Sequence, residues 1–262
     1  MTVLPLAASS TVWSAEMRAS EIQTRIDTAA LYRLIEYFRW SDLTDGYVTS
    51  RAEDDPHHMF VYSHGERPGE VQASRLHKVS LPLGENLDQG TLEEPELAAI
   101  VTPANIFEAR PDLNCVLHMH TKATSTFASL NCELLPVSQA GIMMHGKVGY
   151  DDFNEDVWGD DCNQAIANVF KDHQLMLMRN HGALVGGKTV MQAFRLAYYL
   201  DQACALQIEM LKTGQELFIP PAESAKEWQK GYWSNHMVSY DGSRDWPSLL
   251  RMLDRQDISY KA

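Results

Sequence analysis

The 262-residue sequence has few cysteines and few basic residues. Its four cysteines include no Cys-x-x-Cys pair, so the chain encodes neither a thiolate zinc knuckle nor a disulfide framework. Lysine and arginine total 22 against 35 acidic residues, which gives a formal net charge of −13. A charge of that sign disfavours nucleic-acid backbones and anionic membrane surfaces as partners. Small molecules and other proteins remain.

Long apolar runs are also missing. No stretch approaches the roughly 20 apolar residues that a membrane helix needs, and the N-terminal segment lacks the basic region of a secretory signal. We therefore expect a soluble cytoplasmic protein. The hydrophobic fraction of 45% is ordinary for a globular chain, and the length favours one large domain.

Composition divides the chain into three parts. Residues 1–20 are rich in Ala, Ser and Thr without periodicity, which predicts an N-terminal arm. Residues 21–218 carry alternating strand and helix patterns and are expected to form the main domain. Residues 219–262 begin beside a Pro-Pro pair and contain three tryptophans, which predicts a tail docked on the main domain or on a neighbouring subunit.

Hydrophobic spacing predicts the main elements. Helical spacing predicts a helix over residues 21–40, and alternation around a polar turn predicts a hairpin over 47–61. Residues 93–109 have a helical pattern, but Pro103 in the middle predicts two short helices. The remaining predictions are strands at 79–83, 114–120 and 175–179, a helix at 165–170, and a long helix that opens with a capping box at Thr189 and Gln192.

Three histidines occur in or just after these strands. His118 and His120 lie two residues apart in a strand, where alternate side chains point to the same face. His181 stands where the second strand enters an Asn-His-Gly turn. Three imidazoles without a fourth protein ligand suit zinc, iron or manganese and leave positions open for water or substrate. The alternative is that they are ordinary core or surface histidines.

The segments around these histidines resemble a known family. Residues 109–121 and 179–184 closely resemble the class II aldolase/adducin family. Residues 46–51 and 63–65 are similar to its early substrate loops, and residues 246–255 are similar to the tail of its bacterial adducin-like branch. The similarity extends over most of the chain.

The resemblance implies a fold, a cofactor and an assembly. The fold is α/β, a single α/β/α layered domain with a mainly antiparallel central sheet. The cofactor is one divalent metal ion per subunit, zinc, manganese or iron, held by His118, His120 and His181. The assembly is often a homotetramer with sites at subunit interfaces.

One position departs from the family pattern. Counted back from Arg110, the ligand or base glutamate of the family falls on Ala99. Glu96 lies one helical turn away, with Glu93 and Glu94 just beyond, and a shifted helix kink could bring one of them inward. The alternative is that these acids favour the positive end of a helix and face water.

The missing carboxylate shifts the expected chemistry. Without it a retro-aldol reaction lacks its usual proton acceptor, whereas decarboxylation reaches the same metal-stabilised enolate by losing carbon dioxide. The sequence therefore predicts a divalent-metal-dependent carbon–carbon lyase, a decarboxylase or an aldolase, acting on a hydroxylated aromatic or a 2-oxo/2-hydroxy carboxylic acid. Two alternatives stay open: a non-haem iron-dependent oxygenase on the same three-histidine scaffold, and a non-catalytic adducin-like interaction module.

Three side chains are candidates for proton transfer. Tyr150 is one because the family places a tyrosine similarly before an acidic turn; its alternative is packing, with the hydroxyl bound by backbone. His145 is an acid, a substrate contact or a packing residue. Glu96 is the carboxylate nearest to the vacated family position.

A small-molecule carboxylate is the expected partner. The candidates for binding it are Arg51, Ser63, His64, Gly65 and Lys78, because the early loops of this fold hold the anionic end of the substrate. An arginine fork matches a carboxylate in geometry. The alternative for Arg51 and Lys78 is plain surface solvation.

Overall fold

The structure is a computed structural model that describes residues 13, 17–81, 87, 94–151, 160–234 and 240–262. Most of the predicted arm, the end of the predicted 79–83 strand and Glu93 lie outside these residues. The strands are β1 (Tyr47–Ser50), β2 (His58–Val61), β3 (His77–Ser80), β4 (Cys115–Met119), β5 (Val148–Asp151), β6 (Leu175–Met178) and β7 (Gly182–Gly187). The helices are α1 (Ala19–Tyr37), α2 (Ala98–Ala109), α3 (Lys122–Ala128), α4 (Gln139–Met144), α5 (Asp160–Asp172), α6 (Val190–Lys212), α7 (Ala222–Trp233) and α8 (Trp246–Gln256).

The seven strands form one sheet in the order β3-β2-β1-β4-β7-β6-β5. Neighbouring strands are antiparallel except β5 and β6, which are parallel and are joined through α5. A parallel pair needs such a crossover, whereas antiparallel pairs accept short turns. The predicted α/β class with a mainly antiparallel sheet is confirmed.

Helices cover both faces of the sheet, as two neighbouring residues of β1 show. Successive side chains of a strand point to opposite faces. The Thr49 hydroxyl donates to the Ala99 carbonyl of α2 at 2.5 Å, while the Ser50 hydroxyl lies 2.5 Å from the Thr28 hydroxyl of α1. Since α2 packs with α5, and α1 with α6, these two pairs form the outer layers.

Apolar side chains fill the space between the layers. Leu31 and Leu34 of α1, Phe107 of α2 and Phe170 of α5 are at most 2% exposed. Such burial is the main stabilising contribution to a fold of this size. Among the helices of the described ranges, none combines the length and hydropathy needed to cross a membrane.

The predicted break at Pro103 is wrong, because α2 continues through it as one helix. Proline has no N–H, so it leaves the carbonyl four residues earlier without its helical donor. That carbonyl belongs to Ala99, and it accepts the hydroxyl of Thr49 from β1 instead. A bond from the sheet thus replaces the bond that Pro103 cannot make.

Strand β7 was not predicted. Three of its six residues are glycines, Gly182, Gly186 and Gly187, which are depleted in strands because they bury no side chain. Here the glycines make room for the layers above and below. A Cβ on Gly186 would lie 3.0 Å from the Phe170 ring, and one on Gly187 would lie 2.5 Å from the backbone nitrogen of Ala193.

The C-terminal residues pack on the rest of the chain through two tryptophans. The indole of Trp233 donates to the Met143 carbonyl at 2.8 Å, and that of Trp246 donates to the Asp27 carboxylate at 3.0 Å. These bonds place α7 against α4 and α8 against α1. The division of the chain at residues 20 and 218 stays a prediction.

Candidate metal centre

The central strand β4 carries the first histidine. His118 is the register partner of Tyr47 in β1, and their ring centroids lie 5.1 Å apart. Paired residues of antiparallel strands leave the sheet on the same face. Tyr47 lies two residues before Thr49, so this is the face that α2 covers. His120 follows directly after the strand.

The third histidine comes from the turn between β6 and β7. Residues 179–181 connect the strands, and Asn180 has a φ of +58°, a conformation that asparagine tolerates better than most residues. The next residue has to be small: a Cβ on Gly182 would lie 2.5 Å from the Met119 carbonyl oxygen and 2.8 Å from the His120 ring. The turn thus brings His181 directly against the end of β4.

The three imidazoles converge through the same nitrogen. The Nε2 atom of His120 lies 2.8 Å from Nε2 of His118 and 2.9 Å from Nε2 of His181. His120 is therefore the central member of the cluster. Each of the three histidines offers one ligand nitrogen, and these three nitrogens all lie within 4.8 Å of one another.

The outer nitrogens determine which form two of the rings take. His118 Nδ1 lies 3.0 Å from the Ala183 carbonyl, and His120 Nδ1 lies 3.2 Å from the Asp42 carboxylate. Carbonyl and carboxylate oxygens only accept, so both Nδ1 atoms carry hydrogen. In the neutral rings Nε2 is then a bare lone pair, and lone pairs this close repel unless a cation lies among them.

A proton on His118 or His181 is a poor candidate for that cation. Burial lowers the pKa of His118 well below its ordinary value, and the rings of His120 and His181 lower it further. Burial and His120 also lower the pKa of His181. Neutral imidazoles with converging Nε2 atoms and fixed outer nitrogens are the usual donor set for a divalent metal ion. The residues therefore fit a metal ion.

No carboxylate joins this cluster among the residues that the structure describes. Ala99 is fully buried in α2 on the same side of the sheet as His118, and its methyl group offers no ligand. Glu96 is directed elsewhere: one carboxylate oxygen lies 2.6 Å from Nδ1 of His64, and the other accepts the backbone N–H of Ala98. The shift that would bring Glu96 inward has not occurred.

The loop after β2 holds three of the predicted substrate residues. The Ser63 hydroxyl is buried against Nε2 of His77 at 3.1 Å, and His64 is exposed. Gly65 has a φ of +75° and open space around it. The Tyr62 hydroxyl ties this loop to the turn before β1 by donating to the Gly46 carbonyl at 3.2 Å.

Arg51 does not take the predicted position. It follows β1 at the edge opposite to His118, about 13 Å along the sheet. Its guanidinium is buried and donates to the carbonyls of Pro56, Pro111 and Leu113. It also lies over the Phe107 ring. Arg51 therefore clamps the backbone rather than facing a substrate.

Lys78 is also engaged away from the cluster. It lies on β3, three strands from β4, and its ammonium contacts the Glu21 carboxylate at 2.7 Å and Asp55 at 3.8 Å. An ammonium between two carboxylates offers a poor site for a third one. The structure therefore places Arg51 and Lys78 against other partners than the substrate that the sequence predicted for them.

Tyr150 and His145 form a separate group. The hydroxyl of Tyr150 accepts the Leu134 N–H at 3.0 Å, and His145 Nδ1 lies 2.7 Å from the Leu134 carbonyl. Burial raises the pKa of Tyr150 to about 12, and the Arg179 guanidinium lies over its ring. Tyr150 is on β5, three strands and about 14 Å from β4. Within one chain neither side chain joins the histidines.

Sequence reasoning missed Asp42 and placed Gly46 and Tyr47 only within a segment similar to a substrate loop, not beside the ligands. Asp42 contacts His120, and Tyr47 packs on His118. Gly46 has a φ of +81°, and a Cβ there would lie 3.0 Å from the His118 carbonyl oxygen. A carboxylate partner for a ligating histidine is a general expectation, but nothing in the local pattern selects Asp42.

The α/β/α layers, with three converging histidines that could hold a metal ion, are the features that the sequence motifs predicted for a protein of the class II aldolase type. The family model described as the class II aldolase and adducin N-terminal domain matches residues 26–208. The chain belongs to this family, as the motifs around the histidines predicted.

Known relatives agree with this membership. Beta-adducin of Rattus norvegicus is 29% identical over 265 residues, covering 95% of this chain but 36% of the adducin. The chain thus spans about a third of that relative. A candidate aldolase class 2 protein of Caulobacter vibrioides is 28% identical and covers 92% of this chain and 93% of its own length.

One solved structure is similar over nearly the whole chain. The crystal structure of an aldolase II superfamily protein from Pseudomonas syringae superimposes with a TM-score of 0.86 at 29% identity. The match covers 94% of this chain and 98% of the other. The layered fold is therefore that of the aldolase II superfamily.

Proposed function

We propose that this chain is a divalent-metal-dependent carbon–carbon lyase acting on a small carboxylic acid. The observation that carries the proposal is the convergence of the three Nε2 atoms on one point. One zinc, manganese or iron ion per subunit would act as a Lewis acid toward a carbonyl or phenol oxygen beside the scissile bond. Three protein ligands leave room for that oxygen.

Decarboxylation is the reaction that the donor set favours. A retro-aldol step needs a base to remove a hydroxyl proton, and Ala99 supplies none at the family position. Decarboxylation breaks the bond to the carboxylate carbon, leaves its electron pair on the substrate and releases carbon dioxide. The remaining carbon then takes up one proton. No base is needed for the bond-breaking step.

The substrate is a hydroxylated aromatic acid or a 2-oxo or 2-hydroxy acid. In an ortho-hydroxylated aromatic acid the phenol oxygen is on the carbon next to the carboxyl-bearing carbon, so at the open side of the three histidines it can take up the charge that carbon dioxide leaves behind. In a 2-oxo or 2-hydroxy acid the oxygen is on the carboxyl-bearing carbon itself, which suits cleavage of a carbon–carbon bond further along the substrate, as in an aldolase. The Ser63–Gly65 loop is the best remaining candidate for the carboxylate end, because Tyr62 ties it to the turn that contacts His118. The exposed His64 imidazole is its most accessible polar group.

The proton returned to the substrate needs a donor. Tyr150 and His145 stay candidates if a second copy of the chain presents them, since within one chain both bind Leu134 and neither joins the histidines. This proposal includes a homotetramer with sites at subunit interfaces. Measuring the oligomeric state in solution therefore tests whether a second copy can supply these side chains.

A second function is favoured by the adducin relatives, of which beta-adducin matches 95% of this chain. A non-catalytic adducin-like interaction module would keep the fold without turnover. It gives no reason for the Nε2 atoms to converge, so it ranks second. An iron-dependent oxygenase on the same three histidines is one outcome of the second test below, the measurement of turnover without oxygen.

The first test is metal content. Protein purified without chelator is analysed for elements as wild type, His120→Ala and His57→Ala, the last being an exposed histidine outside the cluster. We expect about one zinc, manganese or iron per chain, lost in His120→Ala and kept in His57→Ala. A wild type that stays metal-free after reconstitution would contradict the lyase and favour the interaction module.

The second test is turnover without oxygen. The metal-loaded protein is given hydroxylated aromatic, 2-oxo and 2-hydroxy acids under anaerobic conditions, and carbon dioxide is measured. Oxygen-independent release supports the decarboxylase, whereas cleavage to an aldehyde supports an aldolase. Product formation that requires oxygen uptake would replace the lyase by the oxygenase.

A further inference from the structure

The central ligand of the cluster is held by a side chain, whereas its neighbour His118 is held by backbone. The Nδ1–H group of His118 donates to the carbonyl of Ala183 in β7. That of His120 donates to Oδ2 of Asp42 at 3.2 Å. Because Nε2 of His120 lies within 2.9 Å of both other Nε2 atoms, the orientation of this ring sets the geometry of the whole cluster.

Asp42 is presented from an anchored turn. The Asp45 N–H donates to the Asp42 carbonyl at 2.8 Å, and Leu43 between them has a φ of +54°. Gly46, at the end of the turn, lies close against the His118 backbone. The turn therefore has a fixed position relative to β4, although the Asp42 side chain itself is 53% exposed.

We propose that Asp42 is a positioning residue for the metal centre. It keeps the hydrogen of His120 on Nδ1, directs the Nε2 lone pair to the point shared by the three rings, and makes the imidazole a stronger donor. It is not itself a ligand, because it contacts the nitrogen that points away from that point. The inference rests on the proposed metal site and adds the source of its geometry.

The chain offers a matched set of variants. Asp42→Ala removes the acceptor, and Asp42→Asn keeps an acceptor oxygen of the same shape without the charge. Asp45→Asn removes the same charge from the same turn, where no hydrogen bond to His120 exists. Because Asp42 is half exposed, we expect all three variants to fold, which far-ultraviolet circular dichroism checks.

The experiment is titration of metal-free protein with Co²⁺, followed by visible absorption. We expect the Co²⁺ affinity to fall 10- to 100-fold in Asp42→Ala, as for other partners of ligating histidines. Asp42→Asn should fall less and Asp45→Asn should stay within about twofold of wild type. The absorption maximum should shift in both Asp42 variants, because the ligand field of a reoriented imidazole differs.

Three results would overturn the inference. Equal affinity and spectra in all four proteins would show that Asp42 does not position His120 while leaving the metal site intact. Equal losses in Asp42→Asn and Asp45→Asn would show a general effect of the lost negative charge instead of a specific hydrogen bond. A wild type that binds no Co²⁺ would remove both the metal site and its positioning residue.

Discussion

Tyr150 and His145 bind opposite sides of the same residue. The Leu134 N–H donates to the Tyr150 hydroxyl, and the Leu134 carbonyl accepts from the His145 ring. The backbone of His145 in turn accepts the amide of Gln229 from α7 at 2.6 Å. Helix α7 is therefore connected to His145 directly and to Tyr150 through Leu134, so a change at either candidate proton donor also affects the position of Leu134.

Substitution of Tyr150 separates its structural part from a catalytic one. Tyr150→Phe leaves the Leu134 N–H without its acceptor, so we expect the free energy of unfolding to fall by about 1 kcal/mol. Metal content should not change, because Tyr150 is not among the residues of the cluster and its strand lies three strands from β4 in its own chain. If Tyr150 returns the proton across a subunit interface, carbon dioxide release should fall about 100-fold. Tyr37→Phe, at an exposed ring, is the control. If Tyr150→Phe releases carbon dioxide as fast as Tyr37→Phe, the role of Tyr150 is packing alone.

Replacing Arg51 tests whether its part is structural. Arg51→Lys loses the planar fork that serves three backbone carbonyls, and we expect the free energy of unfolding to fall by about 3 kcal/mol. Substrate KM and metal content of the folded fraction should stay at wild-type values. Arg67→Lys, an exposed partner of Glu70, should change the unfolding free energy by less than about 0.5 kcal/mol. If Arg51→Lys instead unfolds in urea like the wild type but has a raised KM, Arg51 binds the substrate.

Gly182 should be intolerant of even one methyl group. Gly182→Ala forces a Cβ against the Met119 carbonyl and the His120 ring, so we expect a loss of about 1–3 kcal/mol of unfolding free energy and weaker Co²⁺ binding. Gly69→Ala is the matched control, because a Cβ there would lie 3.5 Å from Glu36 in ordinary contact. Thermal melts and Co²⁺ titration measure both effects. Equal behaviour of the two variants would mean that the end of β4 yields easily.

Asp27 should make stability depend on pH. Burial raises the pKa of its carboxyl group, and the bonds from Trp246 and Gln23 only partly offset this. A raised folded pKa contributes stability in full below about pH 4, the unfolded value, and loses it as pH rises through the folded value. Asp27→Asn keeps an acceptor for Trp246, so its stability relative to wild type should increase between pH 4 and pH 7.

The control for Asp27 has the opposite sign. Burial acts to raise the pKa of Asp254, but the bonds from Lys261 and Tyr260 and the Lys261 charge outweigh it and lower the pKa. Stability from Asp254 is therefore present above about pH 4 and lost as pH falls through the folded value. Urea unfolding of Asp254→Asn should show its largest loss at pH 7. Parallel pH curves for the two variants would contradict both assignments.

The parts of the site that follow from local pattern were predictable. Alternation in a strand places His118 and His120 on one side, and the end of an apolar strand marks His181. The family motifs around them predicted the fold, which the structure confirms. These features depend on neighbours within a few positions, which a single sequence displays directly.

The parts that depend on distant segments were not predictable. The sequence offered Arg51 as a carboxylate ligand or a solvated surface residue, whereas its actual partners are carbonyls at positions 56, 111 and 113 that only folding brings to it. Pro103 stays helical because Thr49 of another element supplies the missing bond. Asp42 reaches a histidine 78 positions away. None of these partners has a signature in the local sequence.

The histidine cluster exists only in the folded chain, since His120 and His181 are 61 positions apart. An unfolded chain keeps only His118 and His120 close together, so it would bind a metal ion far more weakly. An ion bound at the proposed site would then stabilise the native state by mass action, by about 2.7 kcal/mol at a free concentration 100-fold above Kd. Supply of the ion would set how much of this protein survives heat or proteolysis, independently of any substrate.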